Sequence, residues 1–468
     1  MWKFKQYENN IALISDLGER LTYAELQTEN EKLAAHIEGR CLVFTLCNNS
    51  VGSVVGYTTF IQNNIVPLLL NAHLEDGLLN NLLSLYKPAY VWVPSGMIKK
   101  SENFTCVYEA WNYCLLKTNY DNAYPLFDEL CLLLTTSGST GSPKLVRQSY
   151  TNVLTNAQQI VEYLELDATE RPVTTLPMNY TYGLSIINSN LLVGATILLT
   201  DKGLMQREFW KFMKDEQATS FGGVPYTYEM LDKLRFTRMD LPALRTLTQA
   251  GGKLSPELHK KMAEYARDKG KHFVVMYGAC EATARMGYLP YDHSLEKYGS
   301  CGIPIPGGKF TLMDADDKPI DDVRVTGELV YEGPNVTLGY AECGEDLIKG
   351  DERNGVLATG DMAQRDENGF YFIVGRMKRF LKIFGNRVNL DEVERLIKAE
   401  FEGLDCSSTG VDDHMHIFIT DESMSDTVRQ FIVRKTGLNY TAFTVVYIQS
   451  IPRNDSGKVL YSELNKLI

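Results

Sequence analysis

The segment Leu132-Leu133-Leu134-Thr135-Thr136-Ser137-Gly138-Ser139-Thr140-Gly141-Ser142-Pro143-Lys144 constrains this chain more than any other. An apolar strand runs straight into a loop of small hydroxyl residues and glycines that closes on Pro-Lys. Glycine lets the backbone approach a ligand closely. Hydroxyls add donors without bulk, and lysine adds a point charge suited to phosphate oxygen. Successive N–H groups in such a turn form an anion-binding nest. A flexible Ser/Gly linker has a similar composition, but a linker does not follow a five-residue apolar strand or end in a Pro-Lys lock. The spacing also differs from the G-x-x-x-x-G-K-[ST] loop of the common NTPases.

The surrounding pattern says where such a loop sits. Cys41–Leu46, Ile65–Leu70 and Tyr90–Val93 read as buried strands, and helical patterns alternate with them as far as about residue 285. Thr22 is the expected N-cap of one such helix. Strands alternating with helices imply parallel α/β layers. From Lys309 the texture becomes β-rich, over about 305–375, and reads as a β-meander or small barrel. A basic run follows, Arg376, Lys378, Arg379, Lys382 and Arg387, and then a stretch long enough for a small α+β domain. The expected fold class is therefore α/β: a large N-terminal region, 1–377, of layered α/β subdomains plus a small β-barrel, and a small mobile α+β domain, 378–468.

Composition excludes several classes. The net charge of −12 argues against non-specific nucleic-acid binding. No window approaches the ~20 apolar residues of a membrane span, and no signal-peptide pattern follows Met1. Nine cysteines without a C-x-x-C pair point to a reducing cytoplasm. His414 and His416, two apart on a strand, share a face, and an ordinary solvated face is favoured there over a metal site.

The loop T-S-G-S-T-G-S-P-K resembles the signature loop of the adenylate-forming superfamily, which includes acyl-CoA and aryl-CoA synthetases, peptide-synthetase adenylation domains, carrier-protein ligases and firefly luciferase. Further motifs resemble that family in order: Tyr277-Gly278-Ala279-Cys280-Glu281; Gly327-Glu328-Leu329 with Gly333-Pro334-Asn335-Val336 and Gly339-Tyr340; Thr359-Gly360-Asp361; Gly375-Arg376-Met377-Lys378 with Lys382–Val388; and Pro452–Lys458.

The resemblance implies a two-step ligase that uses ATP and Mg2+. A carboxylate attacks the α-phosphate of ATP, giving acyl-adenylate and pyrophosphate, and a thiol of CoA or of a separate carrier protein's phosphopantetheine then displaces AMP. By the same resemblance, Thr136, Ser137, Gly138, Ser139, Thr140, Gly141 and Lys144 hold the β- and γ-phosphates. Tyr277 and Gly278 face the adenine, Gly251 and Gly252 border nucleotide and acid, and Glu281 takes Mg2+. Asp361 accepts from the ribose hydroxyls, and Arg376 binds ribose or phosphate. Lys378 is the hinge, Gly385 lines the thiol tunnel, and Lys458 bridges carboxylate and phosphate during adenylation. The acyl pocket is expected from Tyr180, Thr181, Tyr182, Gly183, Asn188, Gly223, Tyr226 and Gly252, for an aryl, hydroxy or short acyl acid. Arg379, Lys382 and Arg387 either meet a CoA phosphate or an acidic carrier helix, or form a solvated basic face.

The sequence also departs from the family pattern. The motif threonine is Cys280, a weak donor, so either an α-phosphate contact is weakened or Thr283 compensates. Tyr180 stands where His is frequent, and Leu145 where Gly is frequent. No carboxylate lies near Thr181, which disfavours an α-amino acid substrate. The competing readings are a stand-alone amino-acid adenylation enzyme and a nucleotide-binding pseudoenzyme weakened by Cys280.

Overall fold

Buried apolar runs become the parallel strands that the alternating pattern implies. The computed structural model describes residues 1–97, 104–120, 123–135, 144–383, 386–454 and 457–468. Packing divides the chain into two units: Met1–Lys309 with Tyr331–Leu357, and Phe310–Val330 with Ala358–Ile468. Residues on both sides of Lys378 therefore belong to one packing unit.

The first unit holds two large sheets. In one, Leu42–Cys47 lies between Val66–Asn71 and Tyr90–Pro94, parallel to both. Leu130–Thr135 adds in parallel beside Val66–Asn71 and pairs antiparallel with Leu145–Ser149. Because Thr135 pairs with Leu145, the phosphate segment leaves and rejoins the sheet at one point. Leu145 is fully buried there, which gives this departure from the family pattern a packing role.

In the second sheet, Ser220–Gly223, Thr246–Gln249 and His272–Tyr277 are parallel neighbours. In open α/β sheets ligands bind outside the carboxyl ends of such strands. Those three ends carry Gly223, Gly251-Gly252 and Tyr277-Gly278, so one topological fact gathers candidates from distant parts of the sequence. Thr22 caps the helix Tyr23–Ala34 as expected, in a reciprocal capping box with Glu25. No helix among the described residues is long and apolar enough to cross a membrane.

The same unit contains a pH-sensitive buried histidine. His259 is buried on the helix Pro256–Asp268. Its Nδ1 accepts from Gly299 N at 3.1 Å, and its Nε2 lies 3.1 Å from Ser294 Oγ, so the neutral ring with a proton on Nε2 satisfies both contacts. Burial pushes the imidazole pKa down to about 4. The unfolded chain therefore binds a proton that the folded one refuses between about pH 6.5 and 4. Stability due to this group is complete above pH 6.5 and is lost as pH falls, by up to about 3 kcal/mol. Urea melts across that range are expected to show this slope, and a His259→Gln variant is expected to flatten it.

The second unit contains a four-stranded sheet in the order Lys309–Met313, Gly327–Glu332, Val356–Arg365, Tyr371–Arg376, the meander form of the β-rich stretch. It also contains a three-stranded sheet, Cys406–Val411, His414–Ile419 and Phe443–Tyr447, in which the first pair is antiparallel and the second parallel. The helices Leu390–Glu400 and Ser425–Thr436 complete an α+β core around Ile397, Ile417 and Ile432. On the strand His414–Ile419, the rings of His414 and His416 lie 4.7 Å apart, and His414 Nε2 is 3.0 Å from Thr444 Oγ1.

Candidate active site

In the first unit the strand His272–Tyr277 ends in a tight turn, Cys280–Ala282. A side chain at Gly278 would bring a Cβ within 1.6 Å of Ala284 O, so only glycine fits after Tyr277. This turn presents Glu281, and its carboxylate is gripped: the Tyr340 hydroxyl donates to Glu281 Oε1 at 2.7 Å. The Tyr340 ring in turn meets two cations. Lys144 Nζ lies 3.8 Å from its centroid and the Arg353 guanidinium 4.6 Å. Such contacts are electrostatically favourable when partly desolvated. Burial, then the Glu281 charge, pushes the Tyr340 phenol up to about 12. It is therefore a hydrogen-bond donor at neutral pH.

Two arginines hold this arrangement. Arg353 Nη1 donates to Glu281 O at 3.1 Å. Arg147, wholly buried, donates to Tyr340 O at 3.0 Å and pairs with Glu352 at 2.5 Å. Neither was legible beforehand. Arg147 reads as an ordinary strand position and Arg353 as a loop charge, although the Gly339-Tyr340 motif did mark the tyrosine.

Cys280 Sγ lies 4.0 Å from Thr135 O, at the end of the strand that leads into the phosphate segment. The turn bearing Glu281 and the stem of that segment thus meet. Thr136, Ser137, Gly138, Ser139, Thr140 and Gly141 lie outside the described residues, as does Gly385. Compensation by Thr283 is not what the structure holds. Thr283 is buried, and its hydroxyl donates to Asn335 O at 2.7 Å, so it is committed to the motif's own backbone.

The expected acyl wall is only partly realised. Tyr180 caps the helix Thr181–Leu192, and its hydroxyl sits over Gly251, where an added Cβ would lie 2.6 Å from it. Gly251 also has φ +83°, a second reason for glycine. Gly252 abuts Pro225, Gly223 abuts Thr227 and Tyr228, and Tyr226 is exposed on the next helix. Gln249 ties this corner by donating to Gly252 O at 2.9 Å.

Three of the expected pocket residues are engaged in internal packing. Asn188 faces the N-terminal core: its Oδ1 accepts from Tyr57 at 2.8 Å and its backbone O from Trp2. Gly183 serves close packing, since an added Cβ would meet Pro177 O at 2.4 Å. Tyr182 is buried with its hydroxyl 2.9 Å from Thr248 Oγ1, beneath the Arg285 guanidinium.

In the second unit, Asp361 and Arg376 are cross-strand partners, with Arg376 Nε 3.2 Å from Asp361 Oδ1. Asp361 is buried and its arginine largely exposed. Lys378 lies in the turn Met377–Arg379. Lys458 sits in a pinned turn: its N–H donates to Asn454 Oδ1 and its carbonyl accepts from Asn454 N, both at 2.9 Å. Arg379 corrects the basic-face reading. It is buried, donates to Asp391 at 2.8 Å and Glu394 at 2.5 Å, and stacks on Tyr461. It is an internal strut and is not available to a CoA phosphate or a carrier helix.

The AMP-binding enzyme family model matches residues 2–341. The chain belongs to that family. Among relatives of this family member, a peroxisomal OPC-8:0-CoA ligase of Arabidopsis thaliana is 29% identical over 364 residues, 73% of this chain but 64% of the relative. The match therefore spans less than two thirds of that protein. Among solved structures, the o-succinylbenzoate CoA synthetase of Bacillus subtilis, with the acyl-adenylate intermediate OSB-AMP, superposes with TM-score 0.79 at 21% identity, covering 98% of this chain and 97% of that one. An ATP-bound enzyme of Rhodopseudomonas palustris, MatB, gives TM-score 0.77 at 21% identity, covering 98% and 96%. Those likenesses establish the family member's fold: a large N-terminal part and a small C-terminal domain.

Proposed function

We propose that this chain is an ATP-dependent acid–thiol ligase. It joins a carboxylic acid to AMP with release of pyrophosphate, then passes the acyl group to a thiol. The observation that carries this reading is the Glu281–Tyr340–Lys144 cluster beside the stem of the phosphate segment. Lys144, with residues 136–141, holds the β- and γ-phosphates. Tyr340 keeps Glu281 in place by donating to one carboxylate oxygen, and a carboxylate suits a hard cation. Glu281 would hold Mg2+, a hard ion that prefers carboxylate oxygen. The ion's contribution is charge neutralisation on the phosphates.

Tyr277 and Gly278 give the adenine a flat, unobstructed platform. Asp361, with Arg376 beside it, takes the ribose, and Lys458 serves the adenylation step. Lys378 is the pivot on which the C-terminal domain turns between half-reactions, and the segment around Gly385 lines the thiol path. CoA is the preferred acceptor, because the matched relatives bear CoA-ligase names, with carrier-bound phosphopantetheine as the alternative. Nine free cysteines support a cytoplasmic home. The helix Thr181–Leu192 contains no Asp or Glu, which weighs against α-amino acids.

The test is ATP–pyrophosphate exchange and AMP release across a panel of acids, with and without CoA. Exchange that depends on one acid class, with AMP release completed by CoA, is expected. ATP binding without exchange on any acid overturns the ligase reading in favour of a nucleotide binder. Cys280 motivates that second reading, since Thr283 does not replace the missing hydroxyl. Cys280→Thr is expected to raise exchange about 3- to 10-fold, the worth of one modest hydrogen bond, as measured by initial rates at fixed acid.

A further inference from the structure

Arg353 is a half-buried cation. Its Nη1 donates to Glu281 O at 3.1 Å and to Thr337 Oγ1 at 3.2 Å, and its guanidinium carbon lies 4.6 Å from the centre of the Tyr340 ring. Carbonyl, hydroxyl and ring are all neutral. Among the described residues Arg353 forms no ion pair, and its Nε and Nη2 donate to nothing. The neighbouring acids are engaged elsewhere. Asp351 Oδ1 accepts from the backbone N–H groups of Arg353 and Asn354 at 2.8 and 3.0 Å, and Glu352 pairs with Arg147. Nor does the turn bearing Glu281 depend on this guanidinium. Glu281 O also accepts from Thr337 N and Thr337 Oγ1, both at 3.0 Å. A carbonyl oxygen has two lone pairs, so Arg353 is a third donor to a group already satisfied.

Its surroundings supply a use for the unspent half of the fork. The Tyr340 ring also receives Lys144 Nζ, 3.8 Å from its centre, and the Tyr340 hydroxyl donates to Glu281. Two cations thus share one ring, no further apart than those two ring distances laid end to end, with a carboxylate at the ring's polar tip. Two like charges so close repel, and an anion that spans them removes that penalty. Lys144 precedes Leu145, which pairs with the end of the strand Leu130–Thr135, and Glu281 follows the end of His272–Tyr277. Both therefore stand at carboxyl ends of strands, where α/β sheets hold ligands. The carboxylate that Lys144 does meet, Glu342 Oε1 at 3.6 Å, is largely exposed. Such a surface contact contributes little, so a ligand anion displaces it readily.

We infer that Arg353 is a phosphate-binding residue. With Lys144 it clamps a diphosphate group, Nε and Nη2 forking onto one phosphate while the lysine meets the other. The inference rests on the ligase reading and deepens it, because the diphosphate of that reaction is the β,γ part of ATP. When the acid's carboxylate oxygen bonds to the α-phosphorus, the α–β bridging P–O bond breaks. Its electron pair leaves with pyrophosphate, which gains one negative charge. A guanidinium fork meets that growing charge with paired, charge-assisted hydrogen bonds.

The experiment is calorimetric titration of ATP, AMP and inorganic pyrophosphate, each with Mg2+, into wild type and Arg353→Met, with a thermal melt of both proteins. The variant is expected to bind ATP and pyrophosphate about 10- to 100-fold more weakly, the worth of hydrogen bonds to a charged group, and to bind AMP as wild type does. AMP lacks the diphosphate, so it separates a phosphate contact from a structural one. Equal weakening of ATP and AMP overturns the inference and assigns Arg353 to packing against Tyr340. Unchanged affinity for ATP overturns it as well. Should Arg353→Met fail to fold, Arg353→Lys takes its place, since it keeps the charge but not the fork. It is expected to lose about 3- to 10-fold in ATP affinity with AMP unchanged, and no loss, or equal losses, overturns the inference. If no acid supports exchange in wild type, the ligase reading fails, and the comparison of ATP with AMP still decides the role of Arg353.

Discussion

Replacing Lys458 by Ala slows acid-dependent pyrophosphate exchange by about 100- to 1,000-fold and leaves ATP binding nearly unchanged. The magnitude is that of removing one preorganised charge from a site where negative charge develops in the transition state. The geometry makes the substitution clean. Gly457 takes φ +77°, Asn454 bonds Lys458 through both backbone and side chain, and Arg453 forks onto Asp405 at 3.0 and 2.9 Å. These backbone and Arg453 contacts do not use the lysine side chain, and a circular-dichroism melt matching wild type separates a loss of rate from a loss of fold. The second half-reaction separates the roles further. Pre-formed acyl-adenylate is expected to be converted by CoA at the wild-type rate, because the role proposed for the lysine is confined to the adenylation step. Equal exchange rates in variant and wild type would remove Lys458 from the mechanism.

Arg379→Ala lowers the stability of the C-terminal part by about 3–5 kcal/mol, the cost of leaving a buried charge unpaired. Glu394, largely buried, loses its guanidinium partner. Burial already pushes its carboxyl pKa up, and the Arg379 charge opposes that rise. The remaining contacts, Glu394 Oε1 with Ser408 N at 2.6 Å and with Ser407 Oγ at 3.2 Å, satisfy hydrogen bonds but carry no formal charge. Hydrogen exchange over residues 390–419 reads this local loss directly. Faster exchange there, with the sheet around Leu42–Cys47 unaffected, is the expected result. Exchange matching wild type would show that Arg379 is a solvated surface cation after all.

That arginine marks the limit of sequence reading. The run Arg376, Lys378, Arg379, Lys382, Arg387 looks uniform, because charge spacing does not say which member turns inward. The helix Leu390–Glu400 supplies Asp391 and Glu394 at a spacing that puts both on one face, and only the packed domain aims that face at Arg379. The contacts of Asn188 and Gly183 were hidden for a similar reason. Thr181, Tyr182, Gly183 and Asn188 lie along one helix, Thr181–Leu192, where successive residues point in different directions. Thr283 looked like a spare hydroxyl until its left-handed backbone, φ +58°, turned it toward Asn335.

Local chemistry settles locally, and that much the sequence determined. The alternation of buried strands and helices, the Thr22 cap, the glycine after Tyr277 and the ordered motifs all follow from short-range sterics and periodicity. Together they suffice for the fold class and the family. What the tertiary structure alone decided is which charges meet. Lys144, Glu281, Tyr340 and Arg353 come from four separate segments. The strength of an electrostatic contact depends on distance and burial together, and for residues two hundred positions apart in sequence both are properties of the folded chain.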